Sequence, residues 1–442
     1  MYLKFESNKD HTHMLTAKKC HSKLYLWLAP FVVGVVASSF YAYDFLVRVM
    51  PMAMAHELLS TFKIQAGELS ILFSGFFYGY ALMQIPVGML CDKFGARRLL
   101  SGGLAICAFA TFLFGLTNYF PIAIISRIIM GFTASVAYLG ALWVGAYWLG
   151  SQRFAMYAGL VQVLGCIGAV IGSVPVAHLT KIYSWQKTTY FIAIVAVLLA
   201  ILNWIVIRDK QKAAKSVQNA KIVQKDRRFH YVGEVFKRSQ SWWIALFGFA
   251  IWGPVALFAT SWGALFLMSS HHFTNIEATS LISLMWIGIA VGGPIFGWWT
   301  NFIKRRRLPI IIAALLGFIV ISLILYIPEL PRITLAICLF LLGVACSSQA
   351  IAFGLVIDNN RPEAVGTASG LTNTGIVFAG VALQPFVGLL LDIFWDGQVI
   401  SGAPVYSFRA YQIALTMLPA LFVLALIIGG FVVKETYCRN QY

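Results

Sequence analysis

Gly88-Met89-Leu90-Cys91-Asp92-Lys93-Phe94-Gly95-Ala96-Arg97-Arg98 lies between two long apolar stretches, and its acid, three bases and two glycines do not belong in hydrocarbon. The segment reads as a tight turn at a membrane surface. A decayed copy follows 209 positions later, where Gly297, Asn301 and Arg306-Arg307 fall in register with Gly88, Asp92 and Arg97-Arg98. The spacing recurs elsewhere: Ala158-Gly159-Leu160-Val161-Gln162 corresponds to Ser369-Gly370-Leu371-Thr372-Asn373 at an offset of 211. The chain therefore reads as two related halves.

Composition agrees. Of 442 residues, 60% are hydrophobic and 11% charged, and the mean hydropathy is +0.80, which excludes a water-soluble globule of this size. A hydrocarbon core takes ~20 apolar residues per helix. Such windows run near 25–50, 68–88, 99–117, 121–145, 155–179, 188–207, 243–268, 278–300, 308–327, 333–356, 365–391 and 408–433. They predict an all-α polytopic membrane protein of twelve transmembrane helices in two six-helix bundles, spanning 25–207 and 242–433. Around them lie a polar tail (1–24), a linker (208–241) with ten lysines and arginines, and a short C-terminal tail (434–442). The N-terminal tail has no apolar core ending in a small-residue cleavage site, so a removed signal peptide is not expected.

The two tails and the loops on their side hold 26 of the 33 basic residues, which places both termini in the cytoplasm. Most of the net charge of +17 is thus a topology signal. The basic linker reads as a solvated, lipid-facing segment, and no nucleic-acid partner is expected. Seven scattered cysteines suggest neither disulfide nor metal site, and the adjacent pair His271-His272 lacks acidic neighbours. Neither a nucleotide loop nor a nucleophile elbow is present, so the chain reads as no enzyme and without cofactor.

The loop resembles the signature of the major facilitator superfamily, G-x-L-x-D-[RK]-x-G-[RK]-[RK], through Gly88, Leu90, Asp92, Lys93, Gly95, Arg97 and Arg98, with Ala96 where a base is usual. A second family pattern in helix 4 is met by Arg127, Gly131 and Ser135. The resemblance covers about residues 25–433. The helix 5 pattern of many drug antiporters is met only in part, by Gly165, Gly168, Gly172 and Pro175. Stretches Gly366–Asn373, Gln384-Pro385 and Gly388–Asp392 resemble bacterial nutrient carriers of the phagosomal-transporter type. The resemblance implies a secondary active transporter in a bacterial inner (cytoplasmic) membrane, acting on a small-molecule substrate, as a monomer in the bilayer.

For the loop, Asp92 is placed to accept hydrogen bonds from free amides at a neighbouring helix N-terminus. The resemblance nominates helix 11, entered at Arg361-Pro362-Glu363, and the contact would latch the cytoplasmic gate. Gly88 would permit close helix approach, Gly95 a turn with positive φ, and Lys93, Arg97 and Arg98 anchorage at the anionic leaflet.

Function depends more on charge inside the helices. Asp44 and Arg48 stand four apart on one face of helix 1, and Arg127 lies inside helix 4. Intramembrane charges mark functional sites by default. In one reading Arg127, with Arg48, holds an anionic substrate group and Asp44 exchanges a coupling proton. In the other the trio is a mutually satisfied structural network. An acid and base in helix 1 with an arginine in helix 4 resembles the organic-anion symporters of the superfamily, although there the helix 1 pair is commonly adjacent. Gln162, Gln349, Asn373 and Gln384 are amides that could orient a substrate, and Tyr41, Tyr43, Trp143 and Trp252 could wall its cavity. Asp358 and Asp392, at helix ends, read as gate or interface residues. The expected activity is proton-coupled uptake of a small polar or anionic nutrient, such as an organic acid, an amino acid or a carboxylate siderophore. Export of a drug or siderophore by proton antiport and a non-transporting membrane sensor are the alternatives.

Overall fold

The computed structural model describes residues 9–84, 86–149, 151–208, 233–361 and 364–441. Side chains are described for these except at 9–30, 88, 89, 92, 147, 149 and 151–155. The first half contains α1 (Lys9–Ala53), α2 (Ala55–Phe62), α3 (Ala66–Met83), α4 (Pro86–Phe94), α5 (Ala96–Leu116), α6 (Phe120–Ala134), α7 (Val136–Leu149), α8 (Ser151–Tyr183) and α9 (Trp185–Val206). The second contains α10 (Ser239–Pro254), a π-helical segment (Val255–Trp262), α11 (Gly263–His271), α12 (Asn275–Ile303), α13 (Arg307–Tyr326), α14 (Arg332–Cys346), α15 (Gln349–Asn359) and α16 (Val365–Ile393). A two-residue hairpin, β1 (Val399–Ile400) with β2 (Ala403–Pro404), then leads to α17 (Phe408–Leu415), α18 (Met417–Ile427) and a last π-helical turn (Ile428–Val432).

Among the described residues, eleven segments are long and apolar enough to cross a membrane. The remaining window, 68–88, is occupied by α3 and α4. The ends near 208, 233, 304 and 361 lie on the linker side; those near 54–65, 272–274 and 394–407 lie on the far side. Helices contact in matching pairs: α1 on α8 and α3 on α6 in the first half, α12 on α14 and α10 on α16 in the second. Between the halves, α3 packs on α16 and α8 on α12. Large apolar side chains such as Ile194, Leu198, Ile201 and Ile205 on α9 face outward, as a lipid-contacting helix requires.

The duplication is visible in the breaks. Helix 4 bends at Ser135, between α6 and α7, and helix 10 at Ser347-Ser348, between α14 and α15. The serine hydroxyls donate back to carbonyls of the preceding turn, Ser135 to Phe132 and Ser347 to Val344, a bond that bends helices. The same two crossings depend on glycine. A Cβ on Gly131 would strike the Phe76 carbonyl, and one on Gly343 the Met285 carbonyl, so α6 meets α3 and α14 meets α12 backbone to backbone.

The opening segment differs from its sequence reading. Helix continues through Phe94 and restarts at Ala96, so the turn is confined to Gly95, whose φ is +76°. Charge reports where the segment lies, not whether it is helical: the Gly95 N–H still bonds the Cys91 carbonyl at 3.1 Å and the Leu99 N–H the Gly95 carbonyl at 3.3 Å. Only the positive φ interrupts the helix, and glycine adopts it at little cost. At the other end, α1 already begins at Lys9, inside the stretch read as a tail, where no glycine or proline interrupts it until Pro30.

Replacing Gly131 by alanine is expected to destabilise the fold by about 1–3 kcal/mol through overpacking. The melting temperature in detergent should fall, while Gly102→Ala, whose Cβ meets open space, should leave it unchanged.

Candidate functional site

Asp44 sits nine residues before the far-side end of α1, about 14 Å at 1.5 Å per residue. It is fully buried, and Arg48, one turn on, is 7% exposed. Arg48 Nη2 donates to Asp44 Oδ1 at 3.0 Å and to Oδ2 at 3.1 Å. The rest of the guanidinium is walled by aromatic rings, at 4.4 Å from Phe45, 5.0 Å from Tyr80, 5.2 Å from Phe76 and 5.6 Å from Phe77. Such contacts stabilise a desolvated cation. Tyr80 also meets the guanidinium through its hydroxyl, and Arg48 Nε has no acceptor among the described residues.

Arg127 shares the Phe76 ring, at 5.1 Å, but is otherwise engaged. Its Nη1 donates to the Val47 carbonyl at 2.6 Å and its Nε to the Leu72 carbonyl at 3.4 Å. Fully buried, it ties α6 to α1 and α3. Its Nε and Nη1 are thus engaged with main-chain carbonyls, and the side chain is buried in this conformation. Arg48 is the arginine with capacity left.

Sorting the remaining candidates by face separates two groups. Tyr41 lies on the Asp44–Arg48 face, packs on Phe45 and Tyr138, and its hydroxyl donates to Gln162 Oε1 at 3.3 Å. Tyr43 points away, its hydroxyl bonded to Thr111 of α5 at 3.1 Å, so it packs helices together and does not wall a cavity. Trp143 on α7 and Gln349 at the start of α15 are half-buried, and Trp252 is buried. Gln384 is a strut rather than a free amide: Nε2 donates to the Ala256 carbonyl at 2.8 Å and to Thr260 at 3.2 Å, while Oε1 accepts from Ser74 of α3. Asn373 likewise reaches across, donating to Gln84 Oε1 at 2.6 Å.

The far side is clasped. Asp392, in the last turn of α16, accepts from the amides of Ala66 at 3.0 Å and Gly67 at 2.8 Å, the first two residues of α3. The Tyr406 hydroxyl donates to Asp392 at 2.9 Å and accepts from the Ala66 amide at 2.7 Å. A carboxylate thus caps a helix N-terminus in the other half, where the helix dipole favours an anion. Asn275 adds a second tie, to the Ala53 carbonyl at 2.7 Å. Nearer the linker, Arg97 donates to the Trp204 carbonyl at 2.8 Å, Arg306 pairs with Asp358 at 2.9 Å, and Glu435 accepts from the amides of Arg306 and Arg307. The latch expected at Asp92 lies outside the described side chains, as do Pro362 and Glu363 of its nominated partner.

Asp392 was read as a gate or interface residue at a helix end, without its partner. The missed signal is a second copy of the loop motif: Val387-Gly388-Leu389-Leu390-Leu391-Asp392 repeats the V-G-x-L-x-D of Val87-Gly88-Met89-Leu90-Cys91-Asp92. Gly388 leaves no room for a Cβ beside Ser70 and the Ala66 carbonyl, which lets the clasp close.

Two pseudo-repeated helical halves around a buried ion pair, clasped at one end, define a polytopic membrane transporter. The chain belongs to the Major Facilitator Superfamily, whose family model matches residues 31–385. It is 24% identical over 373 residues to the uncharacterized transporter YybO of Bacillus subtilis, covering 78% of this chain and 84% of the relative. It is 21% identical to the probable galactarate/D-glucarate transporter GarP of Escherichia coli, covering 76% and 82%. The probable sulfoacetate transporter SauU of Cupriavidus necator is 22% identical, covering 74% and 80%. Among solved structures, a bacterial homolog of the human lysosomal transporter Spinster, inward-facing and unoccupied, superimposes with a TM-score of 0.70 at 17% identity, covering 91% of this chain and 96% of the other. The nucleoside transporter NupG gives 0.70 at 13%, covering 90% and 100%.

Replacing Asp392 by alanine is expected to loosen the far-side clasp. A cysteine substituted for the fully buried Ser70 beneath it should then react faster with maleimide than in the Asp392 background. Unchanged labelling would show that the clasp does not hold the end shut.

Proposed function

We propose that the protein is a secondary active transporter that takes up a small carboxylate-bearing metabolite by alternating access, with Arg48 as its anion anchor and Asp44 as its proton carrier. The observation that carries this reading is the Asp44–Arg48 pair itself, buried inside a spanning helix with Arg48 Nε unpartnered. Relatives named as probable galactarate/D-glucarate and sulfoacetate transporters support an anionic cargo.

Coupling follows from charge balance. In low dielectric, Asp44 is tolerable as an anion while Arg48 neutralises it. A substrate carboxylate that takes the Arg48 fork removes that counter-ion. The stranded Asp44 carboxylate then favours a proton over solitary charge. Anion and proton therefore bind together, and the site is returned to its ion pair when both leave. The proton gradient supplies the energy, and no cofactor enters. We take the clasped far side to be the closed one and the linker side, rich in basic residues, to be the cytoplasmic side of a bacterial inner membrane.

Proteoliposomes loaded at alkaline pH and diluted into acidic buffer with labelled galactarate provide the test. Inward proton flow should drive accumulation, and an uptake rate indifferent to the gradient would sink the symport reading. Arg48→Gln should lower uptake by roughly a hundred-fold or more, the scale of losing a charge-assisted bidentate contact. Asp44→Asn should abolish gradient-driven accumulation yet keep exchange between labelled and unlabelled substrate. Accumulation preserved in Asp44→Asn would remove Asp44 from the coupling step.

A further inference from the structure

Two buried tryptophans of the second half, Trp262 at the end of the π-helical segment and Trp286 midway along α12, have indole N–H groups without an acceptor among the described residues. Both side chains are fully buried. An indole offers a single rigid donor and cannot rotate to a neighbouring carbonyl as a hydroxyl does. Leaving one unsatisfied in the interior carries a desolvation cost that natural structures rarely tolerate without a reason.

Their location supplies the reason. Trp286 meets the Phe45 ring edge-on at 5.5 Å, and Phe45 is the ring that carries the Arg48 guanidinium. Trp262 meets Phe73 at 5.6 Å, one turn before Phe76 and Phe77, which flank the same guanidinium. The two indoles and Arg48 belong to one aromatic cluster that crosses the boundary between the halves. Charge in this cluster is unequal: Arg48 and Arg127 lie 5.2 and 5.1 Å from the Phe76 ring, against the single carboxylate of Asp44. Once Asp44 takes a proton, the cluster holds two positive charges. A dianion balances the net charge of the cluster as a whole, and a monoanion leaves one positive charge unbalanced.

We propose that Trp262 and Trp286 are the second-half anchor of the transported anion: as the halves close, Arg48 takes one carboxylate and the indole N–H groups donate to an acidic group at the other end. The cargo is then a small diacid rather than a monoacid. This rests on the carboxylate reading above and goes further by giving the substrate two acidic ends and the second half a share in binding it. It also explains why a substrate would draw the halves together, since neither half holds both ends.

Binding of glucarate and gluconate to the purified full chain, by calorimetry, tests it, because the two differ by one carboxylate in place of a terminal hydroxymethyl. The wild-type protein should prefer glucarate. Trp262→Phe and Trp286→Phe keep an aromatic ring but lose the donor, and each should weaken glucarate binding roughly ten-fold or more, the scale of a hydrogen bond to a charged group. Gluconate binding should stay within about two-fold, since the neutral end gains little from these donors. Trp286→His, which restores an N–H, should recover part of the preference. Equal wild-type affinity for the two acids, a preference that survives both phenylalanine variants, or parallel loss of both acids would overturn the indole anchor. If Arg48→Gln still abolished binding in those cases, the carboxylate reading would stand alone. Wild-type protein that binds neither acid would remove both.

Discussion

An aspartate and an arginine one turn apart, inside a helix that crosses hydrocarbon, constrain everything packed around them. Neither charge is tolerable alone there, at about 2.5–3.5 kcal/mol each on insertion scales. The chain answers locally with the ion pair and then with a shell of aromatic rings that accept the cation on their faces. Helices 1, 2 and 4 must approach closely enough to build that shell, which requires the backbone contact at Gly131 and the carbonyl bonds of Arg127. Arg127 is thus part of the scaffold that lets Arg48 keep a free donor. Two arginines of the same kind end with different jobs because one faces the boundary between halves and the other faces its own bundle.

A different electrostatic device closes the far end. Asp392 and the first amides of α3 pair a full negative charge with a helix dipole, and Tyr406 fixes the geometry from the hairpin side. No strong ion pair is involved, which suits a contact that must break in each cycle. Repetition of V-G-x-L-x-D at the C-terminal ends of helices 2 and 11 is sensible in these terms. The two helices run in opposite directions and pack on each other, so the same six residues put a carboxylate at opposite faces of the membrane.

The apolar windows and the repeated helix pattern were legible because hydrocarbon imposes length and apolarity on every span, while most of the linker lies outside the described residues. Some boundaries were read within a few residues, as at 408–433 against a helical stretch of Phe408–Val432, whereas α1 begins at Lys9 against a window that starts at 25. What lies inside a span was less legible. Bends at Ser135 and Ser347 and the π-helical segment before Trp262 arise from hydroxyl bonds, proline and packing, none of which alters hydropathy. Side-chain direction was only half readable. Tyr41 and Tyr43, two apart on a helix of 3.6 residues per turn, cannot share a face, so the two do not wall one cavity together. Which one does depends on where α5 and α8 stand. Arg127 shows the same limit: its depth could be counted along the chain, but its partners, the carbonyls of Val47 and Leu72, belong to helices whose approach no pattern in one sequence reports.

One element connects the two devices. Helix α3 is 18 residues long, about 27 Å, and nearly every functional contact is made along it. Its first amides hold the Asp392 clasp, Ser74 receives the Gln384 strut, Phe76, Phe77 and Tyr80 wall Arg48, and Gln84 beyond its end is tied to Asn373. A stiff rod held at both ends and in the middle does not bend to accommodate a ligand; it tilts as a unit. In the proposed cycle, an anion that displaces Asp44 from Arg48 moves the guanidinium against the rings of α3. Any tilt that follows acts at once on the clasp some 15 Å away, at 1.5 Å per residue from Phe76 to Ala66. Coupling between site and gate then needs no chain of intermediaries, because both belong to the same helix.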